Sequence, residues 1–483
     1  MKHTIILLLL FCSFLSFAQP IINWGPEVVV ADGPTYGNIR PRIALTSDDI
    51  PVVIWGKGSV GNLYTARWNG SAFNTPVNIL PANVETYLTS WTGPDMAAKG
   101  DTVVAVFKAL PLETGHVLTV RSTDGGITWS DTIRADSHNN GGVAWLPSMD
   151  MDENGDPSVV YMAHDPVWSV PHYVVSHSTD QGLTYQPEMN IATSIPDEAC
   201  DCCPAEYVID GNQHALLFRN NASNIRDIYA VYSEDDGLTY PEYDNVDQLN
   251  WNVSSCPSTG PDGIFNNGSL YTVYATRATG SYRVLISKSN TNPTFGLAVS
   301  SFMSPPLNSN GSQNYPRIDG TNDTIVMIWQ ESETSNNEIY ASITTSADLT
   351  EITISKGMVN VSTAGTQSNP DILYSNGFIH AVYQDAPTGS VIYRKGTVGT
   401  VGLDENSESP ISVFPNPNNT GTYIISGPTQ SVEVFDNTGK PVRFEIQKTQ
   451  SQTILQLTED LPGVFHVKVT RDGATSTIKL IRL

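Results

Sequence analysis

Apolar and polar residues alternate over short runs along most of the chain, and no long stretch keeps a helical period. The runs come in a fixed order. A proline opens a first strand, a turn such as "ENGD", "IDGN", "FNNG" or "YSNG" follows, and a second strand ends in an aromatic residue. The pairs are Pro41 with Trp55, Pro94 with Phe107, Pro147 with Tyr161, Pro204 with Phe218, Pro261 with Tyr274, Pro316 with Trp329 and Pro370 with Tyr383. A third alternating run succeeds each pair, among them "NLYTAR", "HVLTVR", "HYVVSH" and "DIYAVY". The unit recurs at intervals of roughly 55 residues, with a fourth strand after the third-strand turn in the units before the last.

Four antiparallel strands repeated in this way predict an all-β chain built as a β-propeller, seven-bladed by this count, with a six-bladed ring as the alternative. The seventh unit stops at "VIYRKG" without a fourth strand. The segment "NWGPEVVV" resembles fourth strands elsewhere, so Trp24 and the strand from Glu27 are expected to complete the last blade. Three third-strand turns are near copies: "STDGGITWS" from Ser122, "STDQGLTYQ" from Ser178 and "SEDDGLTYP" from Ser233. In each, the Asp carboxylate and the Ser and Thr hydroxyls can accept backbone N–H groups of the turn. Glycine supplies angles that a β-carbon opposes, and the aromatic is placed to wedge between sheets. These residues (Asp124, Gly126, Trp129; Asp180, Gly182, Tyr185; Asp235, Gly237, Tyr240) resemble the Asp-box, or BNR, repeat of the sialidase superfamily. The resemblance implies that the boxes lie on the rim, away from the catalytic face.

After Lys395 the chain turns small and polar, so 397–410 reads as a linker and 19–396 as the propeller. Residues 411–483 alternate again, with "FPNPNNTG", "VFDNTGKPV" and "LPGVFHVKV", and fit a small Ig-like β-sandwich. Their order resembles the type A C-terminal sorting domain of the type IX secretion system. That implies engagement of the secretion machinery, passage across an outer membrane and release or attachment at the cell surface. At the other end, Lys2 and His3 precede an apolar run and Ser16-Phe17-Ala18, so residues 1–18 read as a cleaved secretory signal, too short to span a bilayer. The expected product is secreted or held at the outer surface, with no direct membrane insertion.

A net charge of −24 over 483 residues excludes nucleic acid as a partner, because that needs a basic surface. It also requires a local arginine cluster for any acidic sugar. Such a cluster is sought at the propeller mouth, where inner strands begin. The residue after each unit proline is Arg42, Asp95, Ser148, Ala205, Asp262, Arg317 and Asp371. Charges there need pairing or solvent, so they predict either Arg–Asp bridges between blades or a ligand site. Sialidases hold a substrate carboxylate with three arginines, since planar guanidinium groups grip it bidentately. The resemblance puts Arg42 first, with Arg317 and Arg219 or Arg226 as partners, and makes Arg42, Asp95 and Arg317 the catalytic candidates. Arg40, Arg219, Arg226, Asp262 and Asp371 join as ligand-binding candidates, and Trp91 and Trp145, just before Pro94 and Pro147, as sugar-stacking faces. The chain departs from the family in two ways. Pro41 precedes Arg42, so the Arg-Ile-Pro order is missing, and no nucleophilic Tyr–Glu pair is assignable. Two functions follow: a glycan-directed propeller acting as a sialidase-like exo-glycoside hydrolase, or a non-catalytic carbohydrate- or protein-binding surface propeller. No cofactor is called for.

Cys200, Cys202, Cys203 and Cys256 lie in the run-ins to neighbouring inner strands. In an oxidising compartment one bridge is expected from Cys256 to Cys202 or Cys203, with the other two paired locally or left as a reactive pair. The competing expectation is a thiolate site for zinc or copper(I). "DMDENGD" from Asp150 copies the start of a calcium loop but has Tyr161 where a bidentate Glu belongs, and reads as a turn.

Overall fold

The computed structural model describes residues 19–483 except 138–141, 194, 196, 307–309, 333–335, 402–410, 412, 438, 450, 459–461 and 472–473. The expected signal segment 1–18 and most of the expected linker lie outside the described residues. The chain divides into two compact units, Met1–Val401 and Gly402–Leu483.

The first unit is a β-propeller, a ring of antiparallel sheets each following the strand order read from the sequence. Its inner strands are Ile39–Thr46, Asp95–Lys99, Val143–Met151, Glu206–Asp210, Asp262–Asn266, Ser312–Thr321 and Gln367–Ser375. Each pairs outward with the next strand of its own sheet and packs sideways on the inner strand of the following sheet, and the last packs on the first. The second strands are almost wholly buried, as with Thr102–Lys108 and Ser269–Thr276, because sheets cover both of their faces.

The last sheet is closed by the N-terminal segment. Gln19–Ala31 pairs antiparallel with Ser390–Val401, from Gln19 opposite Val401 to Ala31 opposite Val391. Trp24 packs against the cluster shared by the last two sheets, with the Arg394 guanidinium 5.7 Å from its ring centroid. Tyr383 Oη donates to Glu27 Oε1 at 2.7 Å. The two ends of the ring are thus held by a full strand ladder rather than by a loop. One boundary moves: the strand continues to Val401, through the first five positions expected to be linker, because Gln19–Trp24 supplies a pairing edge that small polar residues can follow.

The three copied turns share one geometry. Around Asp235, Ser233 Oγ donates to the carboxylate at 2.7 Å, Thr239 N and Oγ1 donate at 2.8 and 2.6 Å, and Gly237 N reaches Ser233 Oγ at 3.1 Å. Asp124 and Asp180 repeat the pattern. Gly237 sits at φ +73°, and a β-carbon there would meet His214 Nδ1 at 2.8 Å. Trp129, Tyr185 and Tyr240 pack against clusters that join neighbouring sheets. The "DMDENGD" stretch is a turn, in which Asp152 Oδ1 accepts from Asn154 N and Asp156 N, both at 2.8 Å.

The second unit has two sheets. One orders Val413–Phe414, Thr422–Ser426, Gln452–Leu457 and Phe444–Lys448; the other orders Ser431–Asp436, Gly463–Arg471 and Ala474–Arg482. Tyr423, Ile425, Val434, Leu455, Val467 and Leu480 meet as its core, the inward halves of alternating strands.

Candidate functional site

The inner strands place seven residues around the axis in equivalent register, each opposite the residue before the unit aromatic. They are Arg42, Asp95, Ser148, Glu206, Asp262, Arg317 and Asp371. The sequence reading had Ala205 in the fourth unit. Pro204 stands two residues before the register position there, whereas every other unit proline stands one before it, so counting from the proline misses Glu206.

These residues form an ionic ring. Arg42 Nε lies 3.7 Å from Asp95. Arg317 lies 2.5 Å from Glu206, 3.4 Å from Asp262 and 3.1 Å from Asp371. Three of the carboxylates also tie their sheet to the next, accepting backbone N–H groups of the following inner strand. Asp95 takes Met149 N at 3.1 Å, Asp262 takes Ile318 N at 2.7 Å and Asp371 takes Ile43 N at 3.0 Å. Where the register residue is Ser148 or Arg317, an aspartate two positions on, facing the same way, does the same. Asp150 takes Ile209 N at 2.8 Å and Asp319 takes Tyr374 N at 2.6 Å. Asp262 and Asp371, expected to bind ligand, therefore serve mainly to lock Arg317 and the ring.

Above the ring is a narrow mouth cavity of about 40 Å³, lined by Arg40, Arg42, Tyr315, Arg317 and Glu206 together with the unit prolines. Below it lies an axial channel of about 540 Å³. Asp95, Glu206 and Arg317 line both, so the ring is the floor of one and the roof of the other.

Three arginines do converge on this mouth, but not the expected three. Arg219 is wholly buried away from it, donating to the carbonyls of Arg226 and Ala275 at 2.6 and 2.8 Å with its guanidinium 5.0 Å from the Trp251 ring centroid. Arg226 turns to Val253 O and Cys200 Sγ. Both satisfy otherwise orphaned groups between sheets, a correction to their assignment as ligand residues. Their place is taken by Arg40. A bulge between Ile39 and Arg42 puts Arg40 at φ +52° and directs its side chain into the mouth. The same bulge recurs at Tyr315, φ +50°, whose ring lies 5.5 Å from the Arg40 guanidinium.

Arg40 differs from the other two in its company. Arg40 Nη1 donates to Asn369 Oδ1 at 2.9 Å, Nε has no partner, and no carboxylate pairs with it among the described residues. Burial, then the neighbouring Arg42, pushes its pKa down to about 9. It remains a cation at neutral pH. Arg317 moves the other way despite its burial, because Asp262, Glu206 and Asp371 hold its proton.

One guanidinium faces three carboxylates here, and burial acts on each of them. Burial, only partly offset by Arg317, holds the Glu206 pKa well above the carboxylate range, and burial lifts Asp262 to about 6. Ser148 Oγ lies 2.9 Å from Asp95 Oδ2 and 3.1 Å from Glu206 Oε1, and accepts from Tyr207 N at 3.3 Å. Its single hydroxyl proton serves one of the two carboxylates at a time, so Ser148 links Glu206 to Asp95.

Beside the mouth, Trp145 is buried, donating Nε1 to His164 Nε2 at 3.0 Å, with Trp91 and Trp168 edge-on at 5.9 and 5.4 Å. Trp145 is thus a packing residue and not a stacking face, while Trp91 stays half-exposed. At the rim, Cys202 is bridged to Cys256, and Cys200 and Cys203 are unbridged with their sulfurs 3.0 Å apart.

Residues 412–482 match the family of the secretion system C-terminal sorting domain. The chain therefore carries an export tail and is directed to a secreted or outer-surface location; among the described residues, no helix is long and apolar enough to cross a membrane. No curated protein matches the sequence. Among solved structures, a family PL25 ulvan lyase bound to -[GlcA(1-4)Rha3S]- is 12% identical, with 78% of this chain and 96% of that chain covered and a TM-score of 0.50. A Penicillium chrysogenum α-L-arabinanase complexed with arabinobiose is 11% identical, covering 78% and 98%, at 0.42. A Hadza microbial sialidase is 14% identical, covering 64% and 66%, at 0.40.

Proposed function

We propose that the chain is a secreted or cell-surface, seven-bladed propeller of Asp-box type that recognises an acidic glycan at its mouth, followed by an Ig-like sorting domain removed or used for attachment after export. The observation that carries this reading is Arg40. A buried guanidinium with an unpartnered Nε, held in the mouth by a left-handed bulge residue and making no ion pair among the described residues, is a cost to the free protein that a bound anion would repay. A carboxylate or sulfate on a sugar fits this demand.

The test is titration of the full chain with uronate-, sialate- and sulfate-bearing oligosaccharides against neutral ones of equal length. Acidic glycans should bind and Arg40→Met should lose that binding. Equal binding of neutral glycans would remove the basis for the assignment.

A second reading, glycoside hydrolysis, is favoured by the Glu206–Ser148–Asp95 chain. A carboxylic acid kept protonated in a buried mouth is poised to protonate a leaving group. No hydrogen bond between a tyrosine and a glutamate lines the mouth among the described residues, so the sialidase nucleophile has no counterpart here. Turnover of fluorogenic glycosides that Glu206→Gln abolishes would establish this reading; inert substrates across the panel would leave recognition alone.

A further inference from the structure

Four cysteine sulfurs gather where the run-ins to two neighbouring inner strands meet at the mouth rim. Cys202 is joined to Cys256, which is exposed, while Cys200 and Cys203 are buried. Cys200 Sγ lies 3.0 Å from Cys203 Sγ and 3.7 Å from Cys202 Sγ, and the three sulfurs fall within 4.8 Å of one another. Arg226 Nη1 donates to Cys200 Sγ at 2.8 Å.

We propose that these residues form an internal disulfide-exchange relay, in which the bridge moves from Cys202–Cys256 to Cys200–Cys203 and releases Cys256 as an exposed thiol. In the first step the Cys200 sulfur attacks Cys202 Sγ. The Cys202–Cys256 bond breaks, Cys256 leaves as thiolate, and the Cys200 proton ends on it. In the second step Cys203 Sγ attacks Cys200 Sγ. The Cys200–Cys202 bond breaks and Cys202 leaves, taking the Cys203 proton. One disulfide and two thiols are present before and after, so no outside oxidant or reductant is consumed.

The surroundings match this order of events. The hydrogen bond from Cys203, acting with Arg226 against burial, brings the Cys200 thiol down to about 7, while burial holds Cys203 well up. Cys200 is therefore the attacking sulfur and Cys203 the resolving one, at the spacing of a Cys-x-x-Cys pair. The same guanidinium that favours a thiolate disfavours a metal cation beside it. Position gives the exchange a consequence. Cys203 immediately precedes Pro204, Ala205 and Glu206, and the Cys256 run-in ends at Gly260 and Pro261, all lining the mouth. Shifting the bridge replaces a tie across two blades by a local one.

The full chain should be brought to two thiols per molecule with limiting phosphine, acid-quenched, alkylated and mapped without reduction. Both Cys202–Cys256 and Cys200–Cys203 isomers should be found. In Cys203→Ser the second step is blocked, and a Cys200–Cys202 bridge with free Cys256 should appear. In Cys200→Ser, native-state maleimide labelling of Cys256 should be lost. If a substitution perturbs folding, the isomer distribution of the unsubstituted chain still decides. A single isomer, Cys202–Cys256 alone, would overturn the relay, as would four thiols holding stoichiometric zinc or copper.

Discussion

Three of the repeating units carry two polar stations, and these have been treated in opposite ways. The third-strand turn is written almost identically at Ser122, Ser178 and Ser233, and its hydrogen bonds are the same to within a few tenths of an ångström. The register residue of the inner strand is rewritten from unit to unit as Arg, Asp, Ser, Glu, Asp, Arg and Asp. The turn solves a local problem, satisfying its own N–H groups, and one solution serves wherever the turn recurs. The ring residue faces six others across an axis, so only the set has to balance. Seven copies of one charge could not be buried together. Repetition thus marks scaffold and variation marks the place where the units act as one body.

The contrast predicts unequal damage. Arg317→Met strands Glu206, Asp262 and Asp371 around an empty centre and should cost about 3–5 kcal/mol in denaturant unfolding. A loss below that of a single turn would mean the ring is not cooperative. Gly237→Ala forces a β-carbon onto a left-handed residue and against His214, for about 1–3 kcal/mol, read as a lowered unfolding midpoint. Asp235→Asn should cost only about 1 kcal/mol, because the turn is exposed and its other two copies remain.

That last effect depends on pH. Hydrogen bonds from the Thr239 side chain and backbone draw the Asp235 pKa down to about 2, below its unfolded value. Its contribution is present above about pH 4 and is lost as pH falls through about 2, so the variant and parent should converge there. Smallest of all, Glu206→Gln keeps the side chain's shape and its reach to Ser148 where burial already raises the acid's pKa, and should change stability at pH 7 by under about 0.5 kcal/mol. A large loss would show that Glu206 is ionised in the ring.

The blades, their order and the closing strand at Trp24 follow from alternation and turn chemistry, which are local. A bridge from Cys256 to Cys202 or Cys203 followed from placing two run-ins on adjacent blades, and the structure selects Cys202. Glu206 was missed because Pro204 stands two residues before its register position, where the other unit prolines stand one before theirs. Arg40 was ranked below Arg42, since a bulge that re-aims one side chain leaves no trace in period-two alternation. Arg219 and Arg226 misled because a conspicuous arginine in a strand says nothing of which carbonyls surround it.

The central claim is that the one mouth cation without an internal counter-ion exists to meet an external one. Its most direct test is calorimetric titration of the parent and Arg40→Met with the same uronate-bearing oligosaccharide and its neutral counterpart, alongside thermal unfolding of both proteins. The account predicts binding of the acidic glycan that is lost in Arg40→Met, while the variant unfolds no earlier than the parent because no internal ion pair has been broken. Undiminished binding by Arg40→Met, or a variant as unstable as Arg317→Met, would contradict it.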